Sequence, residues 1–405
     1  MAPLTQTERE ELTSQVSDLL AKTDQFACSS LTELSGGSVN FVFRGVLIKP
    51  TTGHNYPAES SAPSTVSTII VRRSTAFSVL NRDFPIDVSR FVVEETMLRA
   101  LDSLGQNFRA PSGTTVRTPR LYMRSLETNT QVLEDFADTI DLKSLLVSPN
   151  ANVVFTSSVA SSIGRDLGSW LRAFHVWAGE KAQASLLTEI SQNDAMRKLK
   201  CQVTYDSFVN VLGNFPELSL SEGNDATLED VRNMATEDFK RAAGAEGDED
   251  WGLIHGDFWS GNVLLPNTTL SSETQQSNKP NELFVIDWEM AQFGHRSYDL
   301  GQMIGDLYER KHFKGVKSAI PAIQGFVDGY GGLSDDMAFR IAIHTGVHLI
   351  GWYTRRPPES PLGCPLEQAA AGMKFGRDLI IKGWERDRGW FESSELACLF
   401  GSKKL

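Results

Sequence analysis

Residues 251 to 289 constrain the fold of this chain more than any other stretch. Leu253-Ile254 runs into His255-Gly256-Asp257, Asn262 follows five positions after that acid, and Val285-Ile286 ends at Asp287 before Trp288-Glu289. Two short apolar runs bounded by polar residues read as buried strands. One acid at a strand end is commonplace, but acid, amide and acid in this order have a chemistry. Moving a phosphoryl group from a nucleotide to a hydroxyl needs an anionic oxygen to orient the hydroxyl and oxygen ligands to hold Mg²⁺ on the phosphates. Asp257 can supply the first, and Asn262 with Asp287 the second. The spacing predicts that Leu253-Ile254 fixes Asp257, that Val263 to Leu265 returns as its hairpin partner with Asn262 on the rim, and that Phe284 to Ile286 delivers Asp287 beside them.

The 405 residues suffice for one bilobal enzyme or for two or three ordinary domains. A formal net charge of −12 argues against nucleic acid or an anionic membrane as the main partner, because both require clustered Lys and Arg. The sequence has no run of the ~18 apolar residues that a membrane span needs, and its first twenty residues have no apolar signal-peptide core. The expectation is a cytoplasmic protein, monomeric or homodimeric, with no nucleic acid or membrane partner. Cys28, Cys201, Cys364 and Cys398 are far apart and form no C-x-x-C pair, so reduced thiols are expected.

Taken in order, residues 7 to 24 carry apolar positions at helical spacing. Leu31 to Leu34 and Phe41 to Leu47 read as strands joined by Ser35-Gly36-Gly37-Ser38-Val39-Asn40. The two glycines would let backbone N–H groups approach phosphate oxygens with no Cβ in the way; a plain hairpin turn is the alternative. A polar stretch rich in Pro, Ser and Thr, residues 50 to 67, leads to the strand-like Ser67 to Arg73. Residues 87 to 101 form an amphipathic helix carrying Glu94 and Glu95. A cation on that strand facing an acid on that helix is the pairing that holds α- and β-phosphates. Residues 120–124 and 131–136 read as further strands. The second is followed by an acidic segment, Ala137 to Leu142, expected as a hinge into a helical half, and a nucleotide base would bind at such a crossing through backbone groups.

From residue 150 helices dominate, with runs at 159–177, 185–213, 227–243, 315–330, 335–355 and 366–386 and another beginning at Asp299-Leu300-Gly301. His175 reads as a packed helix residue. His344 and His348 lie at i, i+4 as in a zinc protease, but Thr345 stands where that motif requires Glu, which argues against a metal pair.

With these pieces in place, the chain resembles the aminoglycoside phosphotransferase and choline kinase-like family, from Leu34-Ser35-Gly36-Gly37-Ser38-Val39-Asn40 through His255-Gly256-Asp257 to Asp299-Leu300-Gly301. The resemblance implies an α+β, protein kinase-like bilobal fold. Its N-terminal nucleotide-binding lobe, residues 1–136, would be a small antiparallel sheet with one helix and the hinge strand; its C-terminal lobe, residues 137–405, would be mainly helical. It implies ATP and Mg²⁺ as cofactors and a small-molecule hydroxyl compound as substrate. Asp257 would be the catalytic base, His255 would support the catalytic loop, and Asn262 and Asp287 would bind the metal. The loop Ser35 to Asn40, with Ser38 and Asn40 as its polar side chains, would hold the phosphates, and Glu134 and Phe136 would flank the base. Where these kinases usually place Lys, this strand ends in Arg72-Arg73. The strand pattern selects Arg72, and spacing back from Leu101 selects Glu94 over Glu95. Arg can still bridge phosphate and carboxylate. That replacement motivates the alternative of a kinase-like module that holds nucleotide without turnover, while the intact Asp257, Asn262 and Asp287 favour an enzyme. A polar insertion, Asn267 to Asn281, is expected to lengthen the hairpin before Asp287.

Overall fold

The computed structural model describes residues 4–34, 37, 39–52, 65–103, 108–149, 151–213, 215, 222–244, 249–267, 282–355 and 361–401. The chain divides into two compact units, residues 1–102 with 119–137, and residues 103–118 with 138–405.

In the first unit five antiparallel strands follow the order Cys28–Glu33, Asn40–Thr52, Thr65–Ser74, Thr130–Glu134, Leu121–Ser125. Alternate residues of the inner strands, Phe41 and Phe43, Ile69 and Val71, point into one core with Val132, as the two-residue period of a strand requires. The helix Gln6–Ala21 adds Val16 and Leu20 to that core. Its first turn is closed by Thr5 and Glu8, each accepting from the other's backbone. The helix Arg90–Ser103 buries Phe91, Met97 and Leu98. The unit therefore carries two helices, the one the kinase-like resemblance implies and the N-terminal one that periodicity predicts.

The second unit is mainly helical. Its tightest contact joins Ser157–Ala178 to Ala319–Tyr330 through glycines on both sides. A Cβ on Gly168 would lie 2.1 Å from the Phe326 carbonyl oxygen, and one on Gly325 2.0 Å from that of Ser161. Ser297–Lys314 packs on Asp335–Gly351, which packs in turn on Leu366–Trp384. The run expected at 185–213 is broken into Ala184–Ile190, Asp194–Cys201, one π-helical turn at Gln202–Asp206, and Phe208–Leu212.

The strand pairing corrects the sequence reading. Trp251–Ile254 does not pair with Val263–Pro266; its antiparallel partner is Gln292–His295. Val263–Pro266 lies between Thr139–Asp141 and Glu282–Val285. Residues 255–262 are longer than the roughly 2–5 residues of a hairpin turn, and they fold on themselves instead. Residues 103–118 join this unit because Thr115–Arg117 runs parallel to Glu282–Val285, with Phe108–Arg109 antiparallel to it. The four cysteines are free. Residues 268–281 of the polar insertion lie outside the described residues, as do residues 53–64 of the polar stretch before Ser67.

Candidate active site

Three buried groups build the loop that carries Asp257. Gly256 has φ +79°, and a Cβ there would fall 2.1 Å from the Met290 carbonyl oxygen, so only glycine fits. Asp299, in the first turn of Ser297–Lys314, accepts from the backbone N–H groups of His255 at 2.8 Å and Gly256 at 3.0 Å. His255 itself is fully buried. Its Nε2 donates to the Ile286 carbonyl at 3.0 Å, and its Nδ1 accepts from the Asp257 N–H at 3.3 Å. One ring thereby ties the Asp257 loop to the segment that links the strand Glu282–Val285 to Asp287. Behind Asp299, His175 donates from Nε2 at 3.2 Å and accepts from Tyr330 at Nδ1, 3.1 Å away. Burial depresses the His175 pKa despite the Asp299 charge, so the ring stays neutral. Phe258 and Trp288 pack on Trp170 and Phe174 of the same helix.

The Asp257 carboxylate is the polar centre of this unit. Its Oδ1 accepts from Gln302 Nε2 at 2.6 Å and Lys200 Nζ at 3.2 Å. Its Oδ2 accepts from Trp259 Nε1 and Asn262 Nδ2, both at 3.2 Å. A carboxylate has about four lone-pair positions, so all are filled and an incoming hydroxyl must displace one donor. Lys200 is the donor best able to leave, because its ammonium rides on a flexible stem and also holds Gln302 Oε1 at 2.7 Å. Burial alone pushes the Asp257 pKa up, but the Lys200 charge and the Gln302 amide outweigh it and hold the carboxyl below the usual range.

Asn262 and Asp287 flank neighbouring strands, Asn262 just before Val263–Pro266 and Asp287 two residues after Glu282–Val285. The Asn262 carbonyl accepts from the Ile286 N–H at 3.0 Å, and Val263 faces Val285. Both Nδ2 hydrogens of Asn262 are directed at Asp257, its carbonyl at 2.9 Å and its carboxylate, which leaves Oδ1 as the amide's hard oxygen ligand. Asp287 is held in the left-handed region, φ +71° and ψ +64°, where non-glycine residues are uncommon and cluster at functional sites. An amide oxygen and a carboxylate are the donor types that Mg²⁺ takes. Elsewhere in the unit, Asp306, Glu309 and His348 bring ligand atoms within 4.8 Å of one another. Asp306 is already paired with Arg310 at 2.6 Å and Glu309 with Arg355 at 3.0 Å, so cations occupy that cluster.

In the first unit, Arg72 and Glu94 form a buried ion pair of 2.6 Å. Glu95 instead binds Arg99 at 2.8 Å and Arg124, so of the two acids it is Glu94 that meets Arg72. A Cβ on Gly37 would lie 2.8 Å from the Asn40 carbonyl oxygen, a close approach that requires glycine. Ser35, Gly36 and Ser38 lie outside the described residues. Asn40 Oδ1 accepts from Ser74 Oγ at 2.9 Å and Arg90 Nη2 at 3.1 Å. Glu134 ends its strand with its N–H on the Arg120 carbonyl at 2.9 Å, and Phe136 is buried.

Sequence reasoning missed Lys200, Gln302 and Arg90. Arg90 is fully buried and donates to the carbonyls of Asp87, Val39 and Thr75 as well as to Asn40, clamping the end of the glycine-rich loop. Lys200 stands just before the π turn Gln202–Asp206 that breaks the expected helix, a feature that recurs at functional sites but that the sequence pattern did not mark.

Residues 152–339 match the model of the phosphotransferase enzyme family. Among curated proteins, a phosphotransferase named FrzJ from Cladobotryum sp is 28% identical over 95% of each chain. A 4-hydroxytryptamine kinase from Psilocybe cubensis is 23% identical over 80% of each. Among solved structures, a choline/ethanolamine kinase family protein from Mesorhizobium loti aligns over 96% of this chain and 97% of its own, at 13% identity and a TM-score of 0.44.

Proposed function

We propose that this phosphotransferase uses ATP and Mg²⁺ to phosphorylate a hydroxyl of a small molecule, with Asp257 as the group that orients and deprotonates the acceptor. The observation that carries this is the Asp257 carboxylate, held anionic among four donors, one of which is the Asn262 amide. In the proposed step the acceptor oxygen forms a bond to the γ-phosphorus as the bond to the β,γ-bridging oxygen breaks. ADP leaves with that oxygen, and the hydroxyl proton passes to Asp257. Asn262 Oδ1 and the Asp287 carboxylate would hold the metal, which neutralises charge on the phosphates when bound. Arg72, fixed by Glu94, would hold the α- and β-phosphates in place of the usual lysine. Active kinases require a Lys–Glu ion pair at this place, and the buried Arg72–Glu94 pair, which likewise fixes a cation on an acid, supports turnover over passive nucleotide holding. The two fungal relatives, a phosphotransferase and a 4-hydroxytryptamine kinase by name, support a small-molecule acceptor. Titration calorimetry with Mg²⁺ and ATP, followed by ADP release with a panel of hydroxyl compounds, tests the reading. Saturable, metal-dependent nucleotide binding with acceptor-stimulated ADP release is expected. No binding overturns it.

A further inference from the structure

Beside Asp257 the second unit has a half-open cavity of about 260 Å³. Its lining is polar by name, yet most of the surface it presents is apolar, and the polar atoms of its tyrosines and histidines are turned away or already engaged. Tyr205 OH and His344 Nδ1 meet at 2.6 Å, and Tyr298 OH donates to Asp238 Oδ2 at 2.9 Å. The Nε2 atoms of His344 and His348 are buried and present no area to the cavity. What faces the space is ring carbon. Tyr298 and His344 stack with centroids 4.1 Å apart, and Tyr205 stands edge-on to both. Trp259 and Val203 complete the apolar wall, the latter from the π turn. Of the charged groups, Arg355 is paired with Glu309, and Lys200, when the acceptor takes its place on Asp257, keeps Gln302 Oε1 at 2.7 Å as its partner.

We infer that the acceptor is a compact aromatic or alicyclic alcohol or phenol that delivers one hydroxyl to Asp257 and lays an otherwise apolar ring against Tyr205, Trp259 and Tyr298. This rests on the phosphotransfer reading above and narrows it. A sugar or aminoglycoside carries several hydroxyl or amino groups that need hydrogen-bond partners. Each one buried here unpaired costs roughly tenfold or more in affinity. A flat ring, by contrast, gains both apolar burial and ring stacking.

The test uses the full chain. Nucleotide binding is measured alone by calorimetry. Turnover is then read as ADP release and product mass with hydroxyindoles, phenols and aryl alcohols against hexoses and aminoglycosides. Binding of the same compounds is read by saturation-transfer NMR on wild type and on Gly351→Leu. A Cβ at Gly351 meets only Arg355 Nη2 at 3.8 Å, so the added side chain has room at the cavity wall. The expected result is at least ~100-fold higher kcat/KM, or selective binding, for ring alcohols, weakened by Gly351→Leu. If ATP binds but hexoses or aminoglycosides are preferred, or no ring alcohol is bound or turned over, the inference is overturned while phosphotransfer stands. If ATP does not bind, the phosphotransfer reading falls and takes the inference with it.

Discussion

At the scale of single residues, the site is a contest for the oxygens of Asp257. Lys200, Gln302, Trp259 and Asn262 all donate to it, and the acceptor must replace one of them. If Lys200 keeps the carboxylate ionised, Lys200→Met moves the acid limb of the kcat/KM–pH profile upward. In the wild type that limb lies below the ordinary Asp value of about 3.9, because the folded pKa is depressed and the base form persists until the pH falls through it. An unchanged limb in the variant would remove Lys200 from this role. Asp257, Asn262 and Asp287 stood out in the sequence because their order and spacing are local and each lies within a few residues of an apolar strand. Lys200 and Gln302 were not, since each meets Asp257 only after helices far apart in the chain have packed. Arg72 and Glu94 fall between these cases, with a pattern on each element naming the residue and the fold supplying the pair.

At the scale of elements, the helices were readable from periodicity, whereas the pairing of short strands was not. Trp251–Ile254 joins Gln292–His295, and Thr115–Arg117 joins Glu282–Val285. Nothing in a four-residue apolar run states its partner. The contact of Ser157–Ala178 with Ala319–Tyr330 matters to the site, because the first of these helices carries His175 to Asp299, and Asp299 holds the His255-Gly256 backbone. Gly168→Leu would force a side chain into the Phe326 carbonyl. The expected cost is about 1–3 kcal/mol or more in urea unfolding, with turnover impaired as well. Val176→Ala, on an exposed position of the same helix, should stay within about 0.5 kcal/mol. Equal effects of the two changes would contradict the close-packing account.

At the scale of the whole molecule, buried histidines set the pH response. Burial pushes His175, His295, His344 and His348 below their ordinary pKa. The unfolded chain then binds protons that the folded one refuses, so stability is full above about pH 6.5 and falls as the pH drops below it. Each such histidine costs up to about tenfold in the folding constant per pH unit. Asp238 and Glu309, whose carboxyls burial pushes up, act in the opposite direction, two groups against four. Urea unfolding should therefore show a lower midpoint at pH 5 than at pH 7; a flat response would show that these rings are protonated in the fold. Among the described residues no helix is long and apolar enough to cross a membrane. The central claim is that the Asp257 carboxylate drives phosphoryl transfer, and it is tested most directly by product formation from ATP and a hydroxyl acceptor in wild type and Asp257→Asn. A loss of about 10²–10⁴-fold in kcat with nucleotide affinity retained is predicted. Unchanged turnover in Asp257→Asn would contradict it.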